Sequence, residues 1–287
     1  MNGARIGVIG GSGLYEIEGL TDIKEVGVET PFGKPSDVIV VGTLGETRVA
    51  FLPRHGKGHR IMPGEVPSRA NIYALKALGA NCVISVAAVG SLKEDMRPMD
   101  LVIPDQLIDH TQGRPSTFFG DGVVVHVPFA EPFCPSLGQS LYQAAKDSGA
   151  RVHEGGTCVV MEGPAFSTKA ESNLYRSWGA SLVGMTLLPE AKLAREAGLC
   201  YACVAMVTDY DCWHESHETV SVDMILANMA RTVSVTKNVI KTVVGRLGGE
   251  RTCECPQALK YAVVTAKDRI PPMRKKNLDL LAGEYLK

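Results

Sequence analysis

Thr208-Asp209-Tyr210-Asp211-Cys212-Trp213 follows an apolar run, Leu199 to Val207, and is the segment whose residue types could best do chemistry. An apolar run of that length reads as a buried parallel strand. Ligands of open α/β sheets gather at the carboxyl ends of such strands. Two carboxylates and two aromatic rings placed there could hold something flat that carries hydrogen-bond donors, such as a purine. A polar turn in which Asp209 or Asp211 caps the next element would read the same way. His214 and His217 nearby raise the alternative of a divalent ion. They lead through Glu218 and Thr219 to Ser221, which reads as a loop before a capped helix, so no metal is expected.

Other segments offer anion chemistry. Gly10-Gly11-Ser12-Gly13 follows a strand, but Glu16 stands where a dinucleotide fingerprint needs its last glycine. A turn that presents backbone N–H groups and the Ser12 hydroxyl to a single phosphate fits better, and a plain tight turn is the bland reading. Arg54-His55-Gly56 also ends a strand; arginine supplies a planar fork for phosphate oxygens, and the histidine is expected to add a donor. In Ala87-Ala88-Val89-Gly90-Ser91, small residues would let backbone amides approach an anion, or simply pack tightly. Met185-Thr186 precedes a helix entered at Pro189, where free N–H groups favour negative charge, although Thr186 could equally be an N-cap.

The elements that must position these groups alternate between strand-like and helix-like runs, as in a mostly parallel sheet. Strands are expected at Arg5 to Ile9, Val38 to Val41, Thr47 to Leu52, Cys82 to Val86 and Leu182 to Met185, the second and third forming a hairpin. Helices are expected at Arg69 to Leu78 and Ser136 to Ser148, from a Thr168–Glu171 capping box to Trp178, and in a long run capped by Ser221. Gly79, Gly149, Gly179 and Gly198 are the expected helix stops. The expectation is an α/β fold, one domain over 1–287 with a central mixed, mostly parallel sheet flanked by helices and a C-terminal helix near 271–286.

The 287 residues are 45% hydrophobic and 21% charged, which fits a globular protein with a substantial core. A net charge of -1 makes nucleic acid an unexpected partner. Nothing approaches a membrane span or a signal peptide, so the expectation is a cytoplasmic protein. The eight cysteines sit in apolar segments and read as free thiols. Cys200 and Cys203, three apart on a strand, face opposite sides and cannot share a metal. Cys253 and Cys255 would face the same way if extended, which leaves a redox or metal role open for that pair.

Taken in order, Ile9-Gly10-Gly11-Ser12-Gly13-Leu14, Thr30-Pro31-Phe32-Gly33-Lys34-Pro35-Ser36, Arg54-His55-Gly56, Ala130-Glu131-Pro132-Phe133-Cys134, Met161-Glu162-Gly163-Pro164 and the Thr208 to Trp213 segment resemble the trimeric purine nucleoside phosphorylases. The resemblance runs from Ile6 to about Val244. It implies that Ser12, Arg54, His55, Ala87, Ala88 and Thr186 line a phosphate site and that Met185 lies against the ribose. Asp209, Tyr210 and Asp211 would meet the purine, with Phe166 and Ser167 beside it and Asp209 as the catalytic residue. Val222, Ile225 and Leu226 would accept an apolar 5′ group, and His126 would reach in from a neighbouring subunit of a homotrimer. Ala87 departs from relatives that carry a hydroxyl there, and Ala165 and Gly184 replace larger polar residues.

The implied reaction is phosphorolysis of S-methyl-5′-thioadenosine to adenine and 5-methylthioribose 1-phosphate, in methionine and purine salvage. Inorganic phosphate is then a co-substrate, and no cofactor or metal is needed. Asp209, where 6-oxopurine relatives carry asparagine, favours a 6-aminopurine. The alternatives are a 6-oxopurine nucleoside or methylthioinosine phosphorylase and a non-catalytic nucleoside-binding protein. The pairing of Arg54 with Asp209 argues against the last, because binding alone needs no oriented nucleophile.

Overall fold

A computed structural model describes residues 5–214, 221–247 and 251–287. Eleven strands form one sheet: β1 (Ile6–Gly10), β2 (Leu20–Val26), β3 (Ile39–Leu44), β4 (Thr47–Pro53), β5 (Cys82–Ser91), β6 (Leu101–Ile103), β7 (Gln106–His110), β8 (Val152–Glu154), β9 (Thr157–Met161), β10 (Leu182–Gly184) and β11 (Cys200–Asp209). The helices are α1 (Ser68–Ala77), α2 (Pro135–Asp147), α3 (Lys169–Ser177), α4 (Leu187–Glu196), α5 (Val222–Arg246) and α6 (Pro272–Leu286). Six pairings are parallel and four antiparallel, so the sheet is mixed with a parallel majority.

Local rules placed most of these elements. All ten residues of β11 are buried, as a strand covered on both faces requires. Thr168 and Glu171 form the reciprocal capping box: Thr168 Oγ1 accepts from Glu171 N at 3.2 Å, and Glu171 Oε2 accepts from Thr168 N at 2.7 Å. Ser221 Oγ accepts from Met224 N at 3.2 Å and opens α5. The four expected stops, Gly79, Gly149, Gly179 and Gly198, all adopt left-handed φ values between +64° and +91°. Cys200 and Cys203 face opposite sides of β11, packing into different core clusters.

Two differences bear on function. Strands β2, β6, β7, β8 and β9 were not foreseen: β2 is an exposed edge strand, and β6 and β8 are only three residues long, too short for periodicity to register. Strand β5 runs on to Ser91, so Ala87-Ala88-Val89-Gly90-Ser91 is strand rather than a loop after one.

The edge of β5 is where the sheet opens. One side pairs with β11 from Cys82 to Gly90. The other pairs with β1 only as far as Ser85, and with the antiparallel β10 only at Gly90 and Ser91. Val86 to Val89 therefore face a gap between departing β1 and arriving β10, a crevice of the kind in which α/β sheets bind ligands.

Candidate active site

Strand β11 ends beside that gap, and a bulge between Val207 and Asp209 re-aims its last residues. Asp209 Oδ1 accepts from Asp211 N at 2.8 Å, and Oδ2 accepts from Thr208 Oγ1 at 2.7 Å. Both aspartates are buried. Burial, reinforced by the charge of Asp211, raises the Asp209 pKa despite those two hydrogen bonds; burial also raises that of Asp211. Thr208 Oγ1 lies 3.2 Å from Val89 O as well. Its one hydroxyl hydrogen can serve the ionised carboxylate or, when Asp209 is protonated, turn to Val89. A neutral Asp209 thus leaves no partner stranded.

Asp211 holds φ at +52°, an unfavourable value for a non-glycine residue, with its Oδ2 buried and without a hydrogen-bond partner among the described residues. Ser172 Oγ is in the same condition. Gly90 makes the approach feasible: a Cβ there would stand 3.0 Å from Asp209 Oδ1 and 3.3 Å from Asp211 Cβ. Asn228 Nδ2 donates to Thr208 O at 2.7 Å, which ties α5 to the strand end. Ile225, three residues before Asn228, lies on nearly the same face of α5, while Val222 and Leu226 flank Ile225 on the side turned away from Asn228. Val222 and Leu226 are more than half exposed in the single chain, as is nearly half of Phe166. Ser167 O accepts from Cys212 Sγ at 3.2 Å, so the Phe166-Ser167 segment abuts the aspartate turn.

The expected aromatic platform is committed elsewhere. Tyr210 donates through its hydroxyl to Glu94 O at 3.1 Å and stacks on His214 at 4.6 Å. Trp213 donates through Nε1 to Ser91 O at 2.8 Å, with the Arg176 guanidinium 3.7 Å above its ring. His214 Nε2 pairs with Glu94 Oε1 at 3.1 Å, and His217, its companion in the metal alternative, lies outside the described residues.

Arg54 requires the largest correction. Its fork grips Glu190, not open space: Nε to Oε1 at 2.5 Å and Nη2 to Oε2 at 3.1 Å. Nη1 donates to Val86 O at 2.8 Å, and Nη2 also reaches Ser85 Oγ at 2.7 Å. Tyr201 completes the cage, donating to Glu190 Oε2 at 3.0 Å. Burial alone would lower the Arg54 pKa, but Glu190 more than offsets it and the guanidinium stays charged. With its donors so engaged, a bidentate grip on phosphate is not available.

His55 is corrected too. Its Nδ1 lies 2.8 Å from Ile61 O and must carry the hydrogen, since a carbonyl only accepts. Burial, followed by the Arg54 charge, lowers its pKa to about 4. The ring is neutral near pH 7, so its Nε2 is an acceptor and not the expected second donor.

The remaining anion-site residues fall around the gap. Arg54 N donates to Gly10 O at 2.9 Å, which joins the ends of β1 and β4. Ser12 lies in the 3₁₀ turn Ser12–Tyr15 after β1, with its side chain outside the described set. A Cβ on Gly11 or Gly13 would meet nothing within 4 Å, so the chain itself does not fill the space there. Beyond β10, Gly184 lies against Val89, where an added Cβ would be 3.3 Å from Val89 Cγ1. Met185 and Thr186 follow directly after β10, between that contact and the start of α4. Ala87 is buried and Ala88 half-buried. Leu188 is not helical, so the regular turns of α4 begin at Pro189 and Thr186 makes no side-chain cap.

Arg114 had no local signal and was missed. Its side chain is buried, and it donates to Met185 O at 2.6 Å, Leu188 O at 3.0 Å, Glu162 O at 2.6 Å and Glu162 Oε2 at 2.8 Å. It holds Met185 in place against Gly163, where a Cβ would stand 2.6 Å from the Met185 sulfur. His126 is exposed on a segment bridged to Val263.

Residues 5–245 match the model of a family described as the phosphorylase superfamily. A protein of Geobacter sulfurreducens named S-methyl-5′-thioadenosine phosphorylase is 57% identical over 282 residues, covering 98% of this chain and 99% of its own. One of the same name from Koribacter versatilis is 54% identical over 98% of this chain and 97% of its own. Among solved structures, a methylthioadenosine phosphorylase from an antarctic soil metagenomic library superimposes with a TM-score of 0.94 at 48% identity, over 98% of this chain and 99% of that one. A Schistosoma mansoni methylthioadenosine phosphorylase in complex with adenine gives 0.82 at 41% identity, over 90% of this chain and 96% of that one.

Proposed function

The chain belongs to the phosphorylase superfamily, and we infer that it catalyses phosphorolysis of S-methyl-5′-thioadenosine, yielding adenine and 5-methylthioribose 1-phosphate. The observation that carries the base assignment is the buried Asp209–Asp211 pair at the end of β11, where burial pushes both carboxyl groups toward the protonated form and the Asp211 oxygen has only the serine hydroxyls of Ser167 and Ser172 near it. The relatives' names supply the 5′ group.

Asp209 donates its proton to purine N7, and Asp211 Oδ2 accepts from the 6-amino group. The C1′–N9 bond then breaks with its electron pair moving into a base that is no longer an anion. A phosphate oxygen, held in the gap beside Ala87, Ala88, Ser12 and Thr186, forms the new bond at C1′ as cationic character develops there. His55 Nε2 accepts the hydrogen of a protonated phosphate oxygen. Arg54, locked to Glu190, positions the ends of β1, β4 and β5 instead of gripping the anion. The proton carried in by the phosphate is passed, through solvent as products leave, to the ionised Asp209, so the nucleoside and phosphate yield adenine and the sugar phosphate with the enzyme restored and no cofactor or metal consumed.

Met185, clamped by Arg114, lies along the ribose. Val222, Ile225 and Leu226 receive the methylthio group beside Phe166 and Ser167, and a neighbouring subunit covers them, bringing His126. The exposure of Val222 and Leu226 at the start of α5 supports such a subunit contact, and the trimer is what the family resemblance implies. The whole chain acts as one phosphorylase domain in the cytoplasm, a placement compatible with there being no helix, among the described residues, long and apolar enough to cross a membrane.

The test is release of adenine from methylthioadenosine with and without phosphate, alongside methylthioinosine. Strict phosphate dependence and a large preference for the 6-amino substrate are expected. Equal cleavage of both nucleosides would overturn the roles given to the aspartates.

A further inference from the structure

The opposite end of β11 carries a different constellation. Cys200 opens the strand, Cys134 is the N-cap residue of α2, and Cys253 and Cys255 arrive from the segment after α5. Their four sulfur atoms all lie within 4.8 Å of one another, with Cys200 and Cys253 at 3.3 Å. Cys134, Cys200 and Cys255 are almost fully buried, and Cys253 is half-buried. The backbone between Cys253 and Cys255 is helical rather than extended, with Glu254 at φ −79° and ψ −5°, yet both sulfurs still reach the same place, beside two further thiols.

We propose that Cys134, Cys200, Cys253 and Cys255 form a tetrathiolate site for a structural zinc ion. Four mutually close sulfurs and no competing carboxylate or imidazole in the set match a soft, tetrahedral ion. Zinc–sulfur bonds of about 2.3 Å place ligand sulfurs about 3.8 Å apart, so the 3.3 Å pair opens slightly and the wider pairs close by up to about an ångström.

The scaffold favours the ligands. Cys134 N donates to Tyr201 O at 2.8 Å, which pins one ligand beside another's strand. Its position at the start of the thirteen-residue α2 stabilises a thiolate by the helix-end field. Arg251 reaches from the third segment to Asn81 O at 2.9 Å and Gly198 O at 3.1 Å. A cavity of about 220 Å³, lined in part by Arg5, Arg251, Cys134, Cys200 and Cys253, opens beside the cluster and provides an entry path and positive charge. Binding replaces four S–H bonds with four zinc–sulfur bonds, releases four protons to solvent and leaves a site of charge two minus.

Cys200 and Asp209 are nine residues apart on one strand, about 30 Å at 3.3 Å per residue. The ion is therefore remote from the reaction. Its role is to fasten the segment after α5 to the amino ends of the strands.

The test uses the full chain purified under reducing conditions without chelators. Elemental analysis should find close to one equivalent of zinc per chain. Exchange with cobalt(II) should produce the thiolate charge-transfer and tetrahedral ligand-field bands. Cys253→Ser, at the least buried ligand, should lower zinc content by about tenfold or more, while Cys82→Ser, a neighbouring cysteine outside the set, leaves it unchanged. A chelator should lower the thermal midpoint of the unmodified protein, so the result does not depend on the variant folding. Substoichiometric zinc with no cobalt spectrum, or a non-reducing peptide map joining these cysteines as disulfides, overturns the proposal.

Discussion

The two ends of β11 bring reactive side chains together for opposite reasons. At the carboxyl end, Asp209 and Asp211 are crowded and partly unsatisfied, which raises the energy of their charged forms. At the amino end, four thiols converge from three separate stretches of chain, an arrangement that one soft ion would satisfy completely. A site that must exchange a proton retains an imbalance, whereas a site that fastens a chain removes it. Between them lies the Arg54–Glu190 pair, which is internally satisfied and still depends on both partners.

Asp209→Asn should produce the largest effect. It should reduce kcat/KM for methylthioadenosine by about 10² to 10⁴, as loss of a general acid does, with the thermal midpoint and metal content unchanged. A parallel loss of metal would show the two ends to be coupled and break the contrast.

Arg54→Ala follows. Removing one partner of a buried ion pair leaves Glu190 uncompensated and should cost about 3 to 5 kcal/mol in stability, read by chemical denaturation. Arg54→Met combined with Glu190→Leu should recover most of it without restoring full activity. If the single variant is as stable as the parent and only phosphate affinity falls, Arg54 is a phosphate ligand after all.

The smallest effect concerns pH. The folded pKa of His55 is lowered to about 4 from an ordinary 6.5, so between those values the unfolded chain binds more protons. Its contribution to stability is thus full above pH 6.5 and is lost as pH falls toward 4. Glu196, which burial pushes up to about 7, acts in the opposite direction, losing stability as pH rises from 4.5 to 7. His55→Gln should flatten the acid loss. An unchanged profile would mean that His55 is not held neutral.

Much of the fold was legible because its signals are local. The Thr168–Glu171 box, the Ser221 cap, the glycine stops and the apolar run of β11 each operate within a few residues, where periodicity and capping chemistry apply. The segments of the candidate site were visible for the same reason, since they mark strand ends. Short strands such as β6 and β8 carry too few residues for a period to show.

Amino-acid order alone supplies an inventory: carboxylates at the end of a buried strand, small residues near an anion and paired cysteines near the carboxyl terminus. What each group faces follows from packing. Arg54 meets Glu190 across 136 positions, Arg114 meets Met185 across 71, and Cys200 meets Cys253 across 53. The open edge of β5 exists only because β1 leaves it at Ser85 and β10 joins it at Gly90. Local propensity reports the conformation of a segment, but the environment that makes a fork structural, a histidine an acceptor or four thiols a cluster arises from packing between segments distant in the chain.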